Sequence, residues 1–410
     1  MSEYLKQVWL GTRLDAGSRA LPMLLAAFGS ANGIYEADEE ALSAVLSRRR
    51  SEIRALSDKD LSDAERLLEN AASHGVRVLT YFDRHYPSVL RKLPDPPSIL
   101  FIRGSIPNFE EIPTVSIVGT REPNEYSSTQ TYRIAYDLTS AGVVTVSGLA
   151  LGVDGIAAAG TLAAHGKTVA VLGSGIDVIY PKQHERLAEM IGETGCLISE
   201  YPPGAKPDKW NFPMRNRIIA ALGDAVLVTA GSEHSGSLIT AGKAEELQIP
   251  VFALPGRVDT PDGEGPALLL RRGARLAASA DDILSFLEEL YPAQIDVSRL
   301  EDSPRVSLEA ALSRYRTTSR SGIHRPRRRE AAQIVESACE ASAPSADRDL
   351  SVLASKERAI FDKIPAKGDC HPDELCADTL SISEVCSALT MLEIYGFIEM
   401  TPGGRIRRRS

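Results

Sequence analysis

Thr114-Val115-Ser116-Ile117-Val118-Gly119-Thr120-Arg121 is the stretch whose reading decides the fold. A run of β-forming residues stops at Gly-Thr-Arg, and a helical pattern takes over from about Asn124. An apolar run held between Pro113 and Gly119 reads as a strand buried on both faces, because a half-exposed strand would alternate. The loop after such a strand leaves backbone N–H groups free at the carboxyl edge of a parallel sheet, where α/β proteins place ligands. Arg121 adds a permanent, fork-shaped cation at that edge, a shape suited to phosphate. Taken alone, the stretch favours the simpler reading of a tight turn with a surface arginine, so the decision passes to the rest of the chain.

Outward from it, strand patterns recur at residues 143–146, 168–172, 196–199, 225–229 and 251–254. Helical patterns separate them at about 125–140, 153–165, 183–192, 214–222, 237–247 and 281–290. Alternation at this spacing predicts a doubly wound parallel sheet. Two short strands, Val76 to Tyr81 and Ile99 to Ile102, lead into it, so the α/β block is expected over 76–291. Residues 1–75 read as short helices stopped by glycine, the pattern of a small SAM-like module.

Residues 292–350 change to Ser, Ala, Pro and Arg. From Leu312 to Arg329 there are seven arginines and no acidic residue, the composition of a solvated linker that would also attract a polyanion. Residues 351–410 predict three helices, Ser355 to Asp362, Pro372 to Ala377 and Ser383 to Tyr395, then a hairpin around Pro402-Gly403-Gly404. Three helices and a wing make a winged helix. Its recognition helix carries Glu384 and Glu393 but no Lys or Arg, so protein contact is the better expectation than base reading.

The bulk numbers narrow the class. A net charge of −9 over 410 residues argues against a generally basic nucleic-acid coat, while leaving room for a local basic groove. Charged and hydrophobic fractions of 25% and 43% are those of ordinary globular protein. The five cysteines form no C-x-x-C pair, and Cys370-His371 with Cys376 and Cys386 fits no usual zinc spacing, so reduced thiols and no metal are expected. No basic segment followed by an apolar core opens the chain, and no apolar run reaches about 18 residues. A cytoplasmic protein is the expectation.

Chemistry-bearing residues cluster where strands end. The second loop is Ser147-Gly148-Leu149-Ala150-Leu151-Gly152-Val153-Asp154, with Asp154 placed to cap the next helix. The third is Gly173-Ser174-Gly175, followed by Tyr180-Pro181-Lys182, and a fourth, Ser235-Gly236-Ser237-Leu238-Ile239-Thr240, brings hydroxyls to a helix start. Val178 stands where a dinucleotide fingerprint needs its third glycine, and no Gly-Lys-Ser/Thr follows a glycine loop, which excludes a P-loop. No Ser–His–Asp set stands out. Asn211-Phe212-Pro213-Met214-Arg215-Asn216-Arg217 sets arginine forks beside an aromatic, the ingredients of single-strand binding. The alternative is that Arg215 or Arg217 pairs with a carboxylate such as Glu200 and locks loops together.

The segments SIVGTREP, SGLALGVDGIAA, VLGSGIDVIYPKQH, LISEYPPG, FPMRNRIIA, SGSLITA and FALPG, in this order, resemble the DNA-processing protein DprA (Smf) family over roughly residues 100–290. The resemblance implies an extended Rossmann domain that binds single-stranded DNA, dimerises and assists RecA loading in natural transformation, without catalysis or cofactor. Matched position by position, it implies DNA contacts from Gly119, Thr120 and Arg121, from Ser147, Gly148 and Ala150, from Lys182, and from Arg215, Asn216 and Arg217. The family commonly has Glu at Thr229, Lys at His234, Asn at Ala267 and an aromatic at Ile406, so the sequence departs from the pattern there. A second class of function is a nucleotide-processing hydrolase of phosphoribohydrolase type, which would need a PGGxGTxxE segment; residues 231–240 lack it.

Overall fold

Six helices come first: α1 (Glu3–Arg13), α2 (Ala20–Phe28), α3 (Ala31–Glu36), α4 (Glu39–Leu46), α5 (Arg50–Ser57) and α6 (Ser62–Ser73). The structure is a computed structural model that describes residues 2–257, 259–300, 307–315, 355–365, 370, 389, 392, 397–401 and 405–408. Local chemistry sets several of the helix starts. Ser30 caps α3 through Gly33 N and Asp38 caps α4 through Ala41 N, each supplying an acceptor to an N–H the helix cannot pair itself.

The α/β block follows. It comprises β1 (Arg77–Thr80), α7 (Ser88–Arg91), β2 (Ile99–Gly104), β3 (Thr114–Gly119), α8 (Glu125–Ser140), β4 (Val144–Ser147), α9 (Val153–Ala163) and β5 (Thr168–Leu172). Then come α10 (Glu185–Thr194), β6 (Cys196–Ser199), α11 (Asn211–Leu222), β7 (Ala225–Ala230), α12 (Gly236–Glu246), β8 (Val251–Ala253), α13 (Pro261–Arg271), β9 (Arg275–Leu276) and α14 (Asp281–Leu290). One nine-stranded sheet results, in the order β1-β2-β6-β5-β4-β3-β7-β8-β9. The seven strands from β6 to β9 pair parallel, as the alternation predicts, while β1 and β2 add an antiparallel flank on β6. Strands β4 to β8 are buried along their whole length because helices cover both faces.

The leading helices and the sheet share one apolar cluster. Trp9, Leu21 and Leu42 belong to the same buried group as Ile99, Phe101 and Leu197. Helix α13 is the largest element the sequence pattern misses. Gly263, Gly265 and Pro266 in its first turns disguise it, although Pro261 at its start is pre-set for a helix. Helix α15 (Leu308–Tyr315) buries Ala311 against the same apolar cluster.

The chain divides into two compact units, Met1–Ser319 and Arg320–Ser410. In the second, α16 (Ser355–Lys363) is described together with β10 (Ile398–Thr401) and β11 (Arg405–Arg408), which pair antiparallel as the expected hairpin. Ile406 is fully buried beside Ile360, Leu392 and Ile398, so the residue that replaces the family's aromatic is a core residue here. The expected helix 372–377 lies outside the described residues. So does most of 383–395, of which Leu389 and Leu392 are described as helical and buried.

Candidate nucleic-acid interface

Chain order in the sheet steps outward from β3 through β4 and β5 to β6, then returns to lay β7 on the other side of β3. The loops that leave β3 and β7 therefore diverge from adjacent strand ends, and a crevice forms between them, where open α/β sheets bind ligands. A cleft of about 650 Å³ opens there, lined by Gly119, Thr120 and Arg121 on one side and by Ser235, Gly236, Ser237 and Thr240 on the other. Ala150, Asp154, Tyr180, Lys209, Phe212, Arg215 and Asn216 complete it.

The first loop is fixed by backbone. Thr120 N donates to Ala230 O at 2.9 Å, and Thr120 O accepts from Val153 N at 3.1 Å, which stitches the loop to β7 and α9. A Cβ at Gly119 would stand 2.5 Å from Val153 Cγ2, so α9 can pack on the strand end only with glycine there. Arg121 stays exposed, with its guanidinium 5.7 Å from the centroid of the Phe212 ring. Tyr180 lies 5.7 Å from the same ring, and the ammonium of Lys209 sits 4.8 Å from the Trp210 ring. Arg121 and the rings of Phe212 and Tyr180 thus meet in the cleft lining, to which Lys209 also belongs.

The second loop is held from inside. Ser147 is buried and its Oγ donates to Ile117 O at 2.7 Å. Asp154 does not cap α9. Its Oδ2 accepts from Gly148 N at 3.2 Å and Ala150 N at 3.3 Å, folding the carboxylate back onto the loop that precedes the helix. Burial raises the Asp154 pKa above the ordinary value, against the opposing pull of Arg215 and these N–H groups. Arg215 grips the other side of Gly148, donating from Nη1 to Gly148 O at 2.9 Å and also to Val171 O. A Cβ on Gly148 would come within 2.4 Å of that guanidinium. Burial pushes the Arg215 pKa down to about 10, with Asp154 opposing. Its Nε has no hydrogen-bond partner among the described residues, and the side chain lines the cleft.

Arg217 is placed differently. Its guanidinium binds Glu200 through both terminal nitrogens, at 2.9 and 2.8 Å, and also reaches Asp95 O and Met214 O. Burial pulls its pKa down, but the Glu200 and Asp95 charges more than restore it. Of the two readings open for these arginines, pairing with Glu200 describes Arg217, which lies outside the cleft lining and has its donors engaged. Asn216 does line the cleft and donates to Gly236 O at 3.3 Å. Ser147, Gly148 and Lys182 are not among the lining residues; Lys182 is exposed in the turn after Tyr180. Lys209 is the lining cation that sequence reasoning missed. Its one signal was its place three residues before Phe212. Thr229 makes a neutral buried pair with Thr131, at 2.8 Å between hydroxyls, so the end of β7 carries no charge. His234 is exposed, and Ala267 lies half-buried on α13.

Residues 77–288 match the family model described as DNA recombination-mediator protein A, and residues 342–404 match the DprA winged helix domain. The protein Smf of Synechocystis is 34% identical over 357 residues, covering 83% of this chain and 82% of the relative. The chain belongs to the DprA/Smf family. The DNA processing protein DprA of Bacillus subtilis is 39% identical over 55% of this chain and 75% of its own length. The X-ray structure of DprA from Streptococcus pneumoniae covers 70% of this chain and 98% of its own at 29% identity, with a TM-score of 0.60. The family match over the second unit carries the winged-helix assignment where the described residues do not reach. Among the described residues, no helix is long and apolar enough to cross a membrane and no cluster of three metal-ligating side chains occurs.

Proposed function

We propose that this chain is a non-catalytic, single-stranded DNA-binding recombination mediator that holds the strand in the cleft between the ends of β3 and β7 and assists loading of a RecA-type recombinase. The observation that carries the reading is Arg121 placed on the face of Phe212 at the switch point, a phosphate cation beside a stacking surface. Lys209 adds another cation to the cleft lining. Proposed contacts to the strand are Gly119, Thr120, Arg121, Ala150, Lys209, Phe212 and Asn216, with Lys182 on the exposed turn nearby. Ser147, Gly148 and Arg215 hold the second loop in place, and Arg217 is a joint between loops.

The hydrolase reading finds little support. Asp154 is the one carboxylate among the described residues lining the cleft. It is buried and already accepts two N–H groups, which leaves it poorly placed for acid–base work on a substrate. We further propose a homodimer, supported by the exposed apolar residues Leu276, on the edge strand β9, and Leu290.

Binding of a dT oligomer, measured from about 50 to 200 mM salt, tests the reading. Log affinity is expected to fall linearly with log salt. Arg121→Ala is expected to reduce both affinity and that slope, by about 0.7 for one phosphate of a single strand left without its cation. An unchanged slope in the variant would overturn the assignment of Arg121. Light scattering with and without the oligomer reads the dimer, and release of free base from nucleoside monophosphates would favour the hydrolase.

A further inference from the structure

We propose that the N-terminus of α12 is a seat for one nucleotide phosphate within the cleft; the inference rests on the DNA-binding reading above and assigns the part of the cleft that the arginines do not explain. Helix α12 has 11 residues, and no side chain caps it. Ser235, in the capping position, turns its hydroxyl to Ser237 instead. The first N–H groups of a helix have no partner within it, and they carry the positive end of its dipole. An uncapped start that lines a cleft is a donor array open to an anion.

A second observation points to a ligand independently. Thr240, one turn further along α12, is fully buried and lines the same cleft, yet its hydroxyl has no hydrogen-bond partner among the described residues. Leaving a buried hydroxyl unpaired is destabilising, so a group that receives its proton is the natural complement. Arg215 Nε is in the same condition and lines the same space.

The spacing suits a nucleotide. Asn216 contacts Gly236 at the start of α12, and Phe212 stands four residues earlier on α11, about one 5.4 Å turn away. Phosphate at α12 and base at the Phe212 ring would thus be separated by a sugar. The one carboxylate lining the cleft among the described residues, Asp154, is engaged by Gly148 N and Ala150 N. The Thr229–Thr131 pair inside the end of β7 is neutral and itself sets no charge against the anion.

The test uses the full chain and a labelled dT oligomer, with thymidine and thymidine 5′-monophosphate as competitors. The monophosphate is expected to displace the oligomer at least tenfold better than thymidine. Thr240→Val, which keeps the shape and removes the hydroxyl, is expected to weaken the monophosphate about fivefold. The same variant, free of ligand, should melt at the same temperature as the parent or about 2–4 °C higher, because it removes an unpaired buried hydroxyl. Ser237→Ala serves as the second variant. A loss on both the oligomer and the monophosphate means the seat takes a phosphodiester of the strand; a loss on the monophosphate alone means it takes a free nucleotide or a strand end. Equal competition by thymidine and its monophosphate, or normal binding by both variants, overturns the seat while leaving the groove intact. Failure of the parent to bind the oligomer removes the DNA reading itself.

Discussion

Helix α11 carries two buried arginines, Arg215 and Arg217, each with a carboxylate nearby, and the two surroundings differ. Behind the cleft, Arg217 meets Glu200 directly with two parallel bonds, and Asp95 and Met214 take its remaining donors. On the cleft side, Arg215 and Asp154 share a residue, Gly148, instead of a direct bond. Asp154 accepts from Gly148 N while Arg215 donates to Gly148 O, so the second loop is clamped from both sides. The rear pair is satisfied and closed to ligand. The cleft pair leaves Arg215 Nε unpartnered in the cleft wall. Side chains of one type, two residues apart, thus serve as a closed joint in one case and as part of the cleft wall in the other.

The largest expected effect breaks the joint. Arg217→Ala would strand Glu200 buried without its partner, and removing one member of a buried pair costs about 3–5 kcal/mol. Urea or thermal unfolding should show that loss. Replacing Arg217 and Glu200 together by methionine should recover part of it, since the apolar pair leaves no charge stranded. A mild effect of Arg217→Ala on stability, accompanied by a large loss of DNA affinity, would move Arg217 back into the binding set.

On the cleft side the expected balance is the reverse. Phe212 is half-buried and carries Arg121 and Tyr180 on its ring, so Phe212→Ala should cost binding more than folding. A stacked base is worth about 1–3 kcal/mol by alanine substitution, and Phe212→Trp should retain most of it. Titration of a dT oligomer alongside a melting curve separates the two outcomes. If Phe212→Ala leaves dT affinity untouched, the ring is packing and the cleft is read by its cations alone.

The contrast between the two sides also shows what sequence could carry. Strands β5 and β6 end where the alternation places them, and Glu200 was legible as a partner for an arginine because it follows a strand end directly. Asp95 was not, since it reaches Arg217 from a proline-rich link 122 residues away, with no periodicity to place it. Lys209 was missed for a related reason. It stands in an irregular stretch between β6 and α11, where only the fold brings the chain back over the end of β3. The inward turn of Asp154 was misread as a helix cap because residue type and position fit both roles; the backbone decides, with Gly152 rather than Asp154 at the capping position.

The smallest expected effect tests the clamp on the cleft side. Burial raises the Asp154 pKa above the ordinary value of 3.8, so between 3.8 and that higher value the folded protein holds a proton that the unfolded chain has released. Stability from this group is therefore fully present below 3.8 and declines as pH rises through the folded value. Asp154→Asn removes the titration while keeping an oxygen for Gly148 N or Ala150 N. The melting temperature of the parent minus that of the variant should fall with rising pH in the acid range, by about 2–4 °C for each kcal/mol involved. A difference that rises with pH would mean that Arg215 and the loop N–H groups outweigh burial. The cleft pair would then be as electrostatically satisfied as the pair behind it.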